Sequence, residues 1–385
     1  MNVFVVVEAD GDHVSLVDGD RLEVFHRFRS RPVLGSPVFT PDGRYFLAAS
    51  RDGWIVKYDI WNLAIVAEAR AGLDTSGLAV SGDGRWVMVA NAAPRTLALL
   101  DPDLRPERSY PVTTLDGRRE SRAAAVYHAA ARRSFIVTLK DLPEAWEISY
   151  DTGAEPIFDG LVHDYRMGEA IAKPGYLGLR RIPLEAPIEA LLFEPRCRYA
   201  IGAASRTADG PSRATVVNFD VRRAISVIPT RGTPLVQAGV GFTRREGAML
   251  AFSSPDNAEV TVVDTGSWRV ARTITMPGSA AHLSSHKGSR HVWADFRTDP
   301  GARGTITLID KQELVPAGEV HQIGRSLGHV EFSRDGGYAL ATVPEVDGAV
   351  VAFDTTSQRE VKRLPMRLPT GSYNVWNRIG RAGAS

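Results

Sequence analysis

The sequence predicts an all-β fold: an eight-bladed β-propeller closed by pairing of its N- and C-terminal strands. Three observations carry this expectation. A phrase recurs along the chain, in which a short apolar strand enters a turn, a second strand rises to a patch of small residues, and a third closes on aspartate. The copies return roughly every 40–50 residues, the repeat length of strand-built blades. Both ends of the chain carry strand-like segments left over from the repeats. One blade cannot bury its apolar faces alone, whereas a ring of them buries all and leaves a central mouth for a ligand.

Taken in order, Val3 to Glu8 and Val14 to Asp18 read as two strands split by the turn Asp10-Gly11-Asp12. The first full copy is Pro37-Val-Phe-Thr-Pro-Asp-Gly-Arg-Tyr-Phe-Leu-Ala-Ala-Ser50, followed by Trp54 to Asp59. The second starts at Leu78 and closes with Leu97 to Asp101; looser copies begin at Ala125, Leu192, Gly241 and Leu283. A crisp one starts at Val330 and ends with Ala349 to Asp354. Blade starts near Phe39, Leu78, Val126, Leu192, Phe242, Leu283 and Phe332 account for seven blades. The eighth draws on both ends of the chain, with Ser372 to Ile379 as one more strand, a closure that removes exposed sheet edges. One domain is expected over 1–379 and a disordered tail over 380–385. The spacing widens between Val126 and Leu192, where Gly160 to Gly175 breaks the pattern and reads as an insertion over one face.

Composition narrows the function. An apolar fraction of 44% suits a continuous core, and a formal charge of +1 argues against nucleic acid as the main partner. The cations are 40 Arg against 6 Lys, and the arginine fork suits carboxylates and phosphates. The single cysteine, Cys197, rules out an internal disulfide, a CxxCH site for covalent c-type haem and a cysteine-rich metal site. No apolar run approaches the roughly 18 residues of a membrane span, and Asn2 to Glu8 enters a strand without the marks of a signal peptide. No Gly-rich phosphate loop, HExxH site or nucleophile elbow is visible.

Five stretches are more specific: Arg51 to Asn62, Leu139 to Tyr150, Val162 to Glu169, Gly328 to Ser333, and Leu364 to Asn377 with its Pro-Thr-Gly-Ser-Tyr-Asn-Val-Trp-Asn ending. Together they resemble the haem d1 propeller domain of the haem d1-containing nitrite reductases and their relatives in haem d1 biosynthesis. Within that group the chain is most similar to the dihydro-haem d1 dehydrogenases. The resemblance implies binding of haem d1 or dihydro-haem d1 and oxidation of a propionate side chain to an acrylate, the last step of haem d1 biosynthesis. Electrons would leave to an external acceptor such as a c-type cytochrome. It also implies a periplasmic setting, with nitrite reductase or another haem d1 assembly protein as a further partner. The alternative is a non-catalytic binding and handover protein. Two departures stand out: no cytochrome c domain precedes the propeller, and Val33-Leu34-Gly35-Ser36 lacks the histidine that family members carry before the first blade.

Dehydrogenation needs a base near the side-chain carbons. His286 and His329 both read as lying at the start of a blade's inner strand, near the central channel, and the resemblance sets the same pair over the tetrapyrrole. Either is a candidate iron ligand. Tyr373 matches the family's reactive-site tyrosine. With ordinary pKa values near 6.5 and 10, His329 is the expected base and Tyr373 the orienting donor. The acidic rim of the ring calls for cations: Arg51, Arg122 and Lys140, with Arg166 in the insertion, and His163 and Tyr165 as weaker members of the same lid.

Overall fold

The structure, a computed structural model, describes residues 2–9, 12–158, 172–204 and 213–379. Eight four-stranded antiparallel sheets form the blades. Seven run in sequence from inner to outer strand. The eighth takes Val3–Glu8, His13–Asp18 and Glu23–Arg29 from the N-terminus and its innermost strand, Pro369–Asn374, from the C-terminus. Val5 lies opposite Tyr373 and Phe4 opposite Asn374, so the predicted closure of the ring is present. Among the described residues no helix is long and apolar enough to cross a membrane.

The repeated phrase folds this way for local reasons. Gly43 takes a φ of +68° in the Asp-Gly turn, a backbone region that favours glycine, and its N–H donates to Thr40 O at 2.8 Å. The closing Asp59 accepts the N–H groups of Trp61 and Asn62 and pairs with Arg44 at 2.8 Å. Arginine and aspartate of the phrase thus clamp two neighbouring strands together at one end of the blade. Inner strands are apolar on both faces because neighbouring blades cover them. Phe46 stacks on Tyr58 at 4.4 Å, and Phe28 of the closing blade lies 5.0 Å from the same ring. Burying such aromatics stabilises the ring by roughly 25 cal/mol per Å² of apolar surface.

One expectation needs correction. Ser372 to Ile379 is not one strand: the strand ends at Asn374, and Val375–Arg378 is a single helical turn. The Asn374 side chain caps that turn by accepting the Asn377 N–H at 3.2 Å, and Asn377 in turn donates to Phe332 O at 2.9 Å. The insertion falls inside the third blade, between Glu144–Ser149 and Leu179–Pro183. Its central part, 159–171, lies outside the described residues, as does the expected tail.

Every innermost strand begins at the same end of the channel, here called the front, and finishes at the back.

Candidate active site

Three innermost strands, His282–Ser285, Gly328–Phe332 and Pro369–Asn374, wall one side of the channel. His282 and His329 stack there with ring centroids 5.1 Å apart and planes 5° off parallel. The Tyr373 ring meets His329 edge-on at 4.7 Å. The structure therefore brings His329 and Tyr373 together. His286 lines the same cavity but makes no ring contact with either. His286 follows the end of its strand, towards the back, with Nδ1 accepting the Gly288 N–H at 3.0 Å and its ring 5.8 Å from Phe332. The true counterpart of His329 is His282, which precedes Leu283 as His329 precedes Val330. Aligning the blades residue by residue would have found it. Ser36 fills the matching place in the first blade, three residues before Phe39 as His329 is three before Phe332.

His329 is held unusually. Its φ is +44°, a left-handed conformation that costs a non-glycine residue of order 1–3 kcal/mol, and the pairing register shifts between Gly328 and Glu331. Its N–H donates to Asp295 Oδ2 at 3.0 Å, and its Nδ1 accepts the Ser372 N–H at 3.2 Å. Asp295 is only 1% exposed. Burial pushes its carboxyl up to about 6, against the pull of Arg297, whose Nε stands 3.9 Å from Oδ1.

Burial also governs the imidazoles. It drives His282 down to about 3 and His329 well below its ordinary value, with Arg378 and Arg297 adding to both and His282 to His329. Both rings are neutral at pH 7. Burial raises the Tyr373 phenol, with the Ser36 hydroxyl acting in the opposite sense. Gly371 makes room for that phenol: a Cβ there would lie 2.4 Å from Tyr373 Oη. Behind the cluster, Arg378 pairs with Glu331 at 2.7 Å and sits 5.3 Å over the Tyr373 ring. The cavity enclosed between Ser36, Gln237, His282, His329, Glu331 and Arg378 measures about 130 Å³. That admits a short side chain and not a macrocycle, since pockets for drug-sized ligands run to roughly 300–1,000 Å³.

Cations stand on the front rim. Arg51 follows the strand Tyr45–Ala49, and Arg122 precedes Ala123–Ala129. The Lys140 N–H donates to Arg122 O at 3.0 Å, so these two share one edge. Arg51 and Lys140 are exposed. Arg122 is engaged, with Nη2 and Nε on the Asp141 carboxylate at 2.6 and 3.0 Å, which brings that carboxyl down to about 2. Arg297, which the sequence reading missed, joins the rim and donates to Thr370 O at 3.3 Å. Arg166, His163 and Tyr165 lie outside the described residues. The strands leading into and out of that segment, at Ser149 and Leu179, do so at the back, the opposite end from Arg122.

A larger cavity of about 560 Å³ opens at the back among Phe39, Leu78, Val80, Tyr127, His128 and Tyr150, and holds none of the predicted site residues. The chemistry-bearing cluster is in the smaller one. The rim cations give the front a donor set suited to a ligand that carries carboxylates.

Comparison with known proteins identifies the family. The family model described as "Cytochrome D1 heme domain" matches residues 1–159 and 178–378. A protein of Pseudomonas aeruginosa named dihydro-heme d1 dehydrogenase is 41% identical over 388 residues, covering 99% of this chain and 73% of its own length. The protein NirF of Stutzerimonas stutzeri is 24% identical over 390 residues, covering 96% of this chain and 90% of that protein. A solved structure, "Dihydro-heme d1 dehydrogenase NirN in complex with DHE", superposes with a TM-score of 0.88 at 39% identity, over 98% of this chain and 76% of that one. The chain belongs to the cytochrome d1 haem domain family.

Proposed function

We propose that this protein oxidises dihydro-haem d1, converting one propionate side chain to an acrylate. Two C–H bonds are lost as two protons and two electrons, and the electrons pass to an external acceptor such as a c-type cytochrome. The observation that carries this reading is the stacked pair His282 and His329 lining a cavity of side-chain size, with Tyr373 edge-on to His329, in a chain 41% identical to a protein of that name.

The residues divide the work by their hydrogen bonds. The sequence reading gave His329 the part of base, but its Nδ1 lone pair is already taken by the Ser372 N–H. The two histidines stack on one wall, and the His282 ring nitrogens have no hydrogen-bond partner among the described residues, so its lone pair is open to a side-chain proton. Tyr373, kept neutral by burial, orients the side chain as a donor. Arg51, Arg122, Lys140 and Arg297 receive the remaining carboxylates.

The test is spectral. Dihydro-haem d1 mixed with the protein and an electron acceptor should convert to haem d1. Tight binding without conversion would overturn the enzymatic reading and leave a handover protein, which pull-down with nitrite reductase or another assembly protein would then support. A periplasmic location belongs to the same proposal, and cell fractionation checks it.

A further inference from the structure

We infer that Asp295 is a positioning residue: with the Ser372 N–H it holds His329 as a hydrogen-bond donor, Nε2–H facing the channel. This rests on the proposed dehydrogenation for its kinetic arm alone.

The argument starts from the backbone. An isolated left-handed histidine in a strand does not persist unless its surroundings over-determine it. Here the determinant is visible, because the His329 N–H donates to Asp295 Oδ2 at 3.0 Å. Stability alone gives no account of that carboxylate. It is 1% exposed, and its other contacts are the Arg297 N–H at 3.4 Å and the Arg297 guanidinium at 3.9 Å. A buried charge so thinly compensated costs more than a neutral residue of the same shape. What the carboxylate does accomplish is to aim one side chain.

The ring is fixed by the second contact. A backbone N–H can only donate, so Nδ1 must present its lone pair to Ser372. A neutral imidazole carries one proton, which is then on Nε2. The charged and titratable groups around it are His282 on one face, Tyr373 at the edge, and Arg297, Arg378 and Glu331 beyond. The two arginines oppose any second proton on the ring. His329 is therefore suited to donate to a carboxylate or ring nitrogen of the ligand, and is a poor proton acceptor or iron ligand through Nε2.

Two measurements test this. In ligand-free protein labelled with ¹⁵N-histidine, the His329 signals, assigned by their loss in His329→Gln, should show a protonated Nε2 and an unprotonated Nδ1. A proton on Nδ1 would overturn the inference whatever the protein's activity proves to be. In turnover, Asp295→Ser, too short to reach the N–H, should lower kcat by about 100-fold, the scale expected for a misplaced catalytic group, with KM for dihydro-haem d1 little changed. Asp295→Asn keeps an acceptor oxygen and should restore most of the loss. His329→Gln, whose amide N–H mimics Nε2–H, should outperform His329→Ala. Wild-type kcat in Asp295→Ser, or equal loss in His329→Gln and His329→Ala, would remove the positioning and donor roles respectively.

Discussion

The channel holds a histidine–tyrosine pair at each end, and the two differ in what their polar atoms are free to do. At the back, His128 Nε2 and Tyr150 Oη bond each other at 2.7 Å, and the same hydroxyl accepts the Gly82 N–H at 3.1 Å from the neighbouring blade. At the front, His329 and Tyr373 touch only ring to ring, and each is positioned by other groups. The back pair spends its hydrogen bonds on itself and joins two blades. The front pair leaves the His329 Nε2 on the channel side and maintains a strained backbone to do so, while the Tyr373 hydroxyl meets that of Ser36. Residue type and proximity are therefore poor guides to chemistry; the direction of each hydrogen bond decides.

The largest effects should separate the two pairs by the quantity that changes. His329→Ala should fold normally and bind dihydro-haem d1, because the macrocycle's apolar area is shared among many contacts, yet lose about 100-fold or more in kcat. His128→Ala should leave kcat near wild type and lose about 1–3 kcal/mol of stability, since the buried Tyr150 hydroxyl loses a partner. Parallel turnover assays and denaturant titrations check both. A large kcat loss in His128→Ala would break the contrast.

The tyrosines sharpen it. Tyr373→Phe should cost about 10- to 100-fold in kcat with little change in Tm. Tyr150→Phe should do the reverse, unfolding about 1–2 kcal/mol sooner because Gly82 N–H and His128 both lose an acceptor or donor. If Tyr373→Phe turns over at the wild-type rate, the phenol is only packing.

The blades were legible because their phrase marks both ends of each blade, and the closing strand was visible as a leftover at each terminus. What the sequence hid follows from the same logic. His282 escaped because its blade replaces the Asp-Gly turn with Ser285-His286-Lys287-Gly288, which blurs the register and made His286 look like the counterpart of His329. Asp295 ends a second strand and Arg297 follows it, where the repeat carries no distinctive residue. The positive φ of His329 leaves no trace in residue type, since glycine would be the usual sign. Gly371, by contrast, sat in plain view in the specific C-terminal stretch, but its purpose depends on where the Tyr373 ring turns. Asn374 reads equally well as a strand residue or a cap until the chain is seen to bend into the channel.

Acid should weaken both ends alike. Folding lowers the pKa of His128 to about 4, of His282 to about 3, and of His329 as well, all chiefly by burial. A base depressed in this way binds fewer protons when folded, so its contribution is present above about pH 6.5 and is lost as pH falls towards the folded value. Asp295, raised to about 6, works the other way: its contribution is present below its ordinary value of 3.8 and lost as pH rises through 6. Three histidines outweigh one aspartate, so Tm should fall between about pH 7 and pH 5. The fall should be shallower in His128→Gln, which removes the back share. An unchanged slope would mean that His128 is not buried neutral in the folded state.

The smallest effects belong to the rim. Arg51 and Lys140 are exposed, and exposed charges are worth about 0–1 kcal/mol each, so Arg51→Gln or Lys140→Gln should weaken dihydro-haem d1 binding by only a few-fold. Added salt should erase most of the difference, because such charges are screened within about 8–10 Å at ordinary ionic strength. Arg122 is the informative case. Its guanidinium is already bonded to Asp141 through two nitrogens, so part of its charge is spent within the protein. Arg122→Gln should therefore weaken binding less than Arg51→Gln does, whereas Asp141→Asn, which releases Arg122 to the ligand, should strengthen it. Spectral titrations of the three variants at low and high salt measure this. Equal losses for Arg51 and Arg122 would mean that the ligand's carboxylate displaces Asp141, and that the rim rearranges on binding instead of receiving the ligand as built.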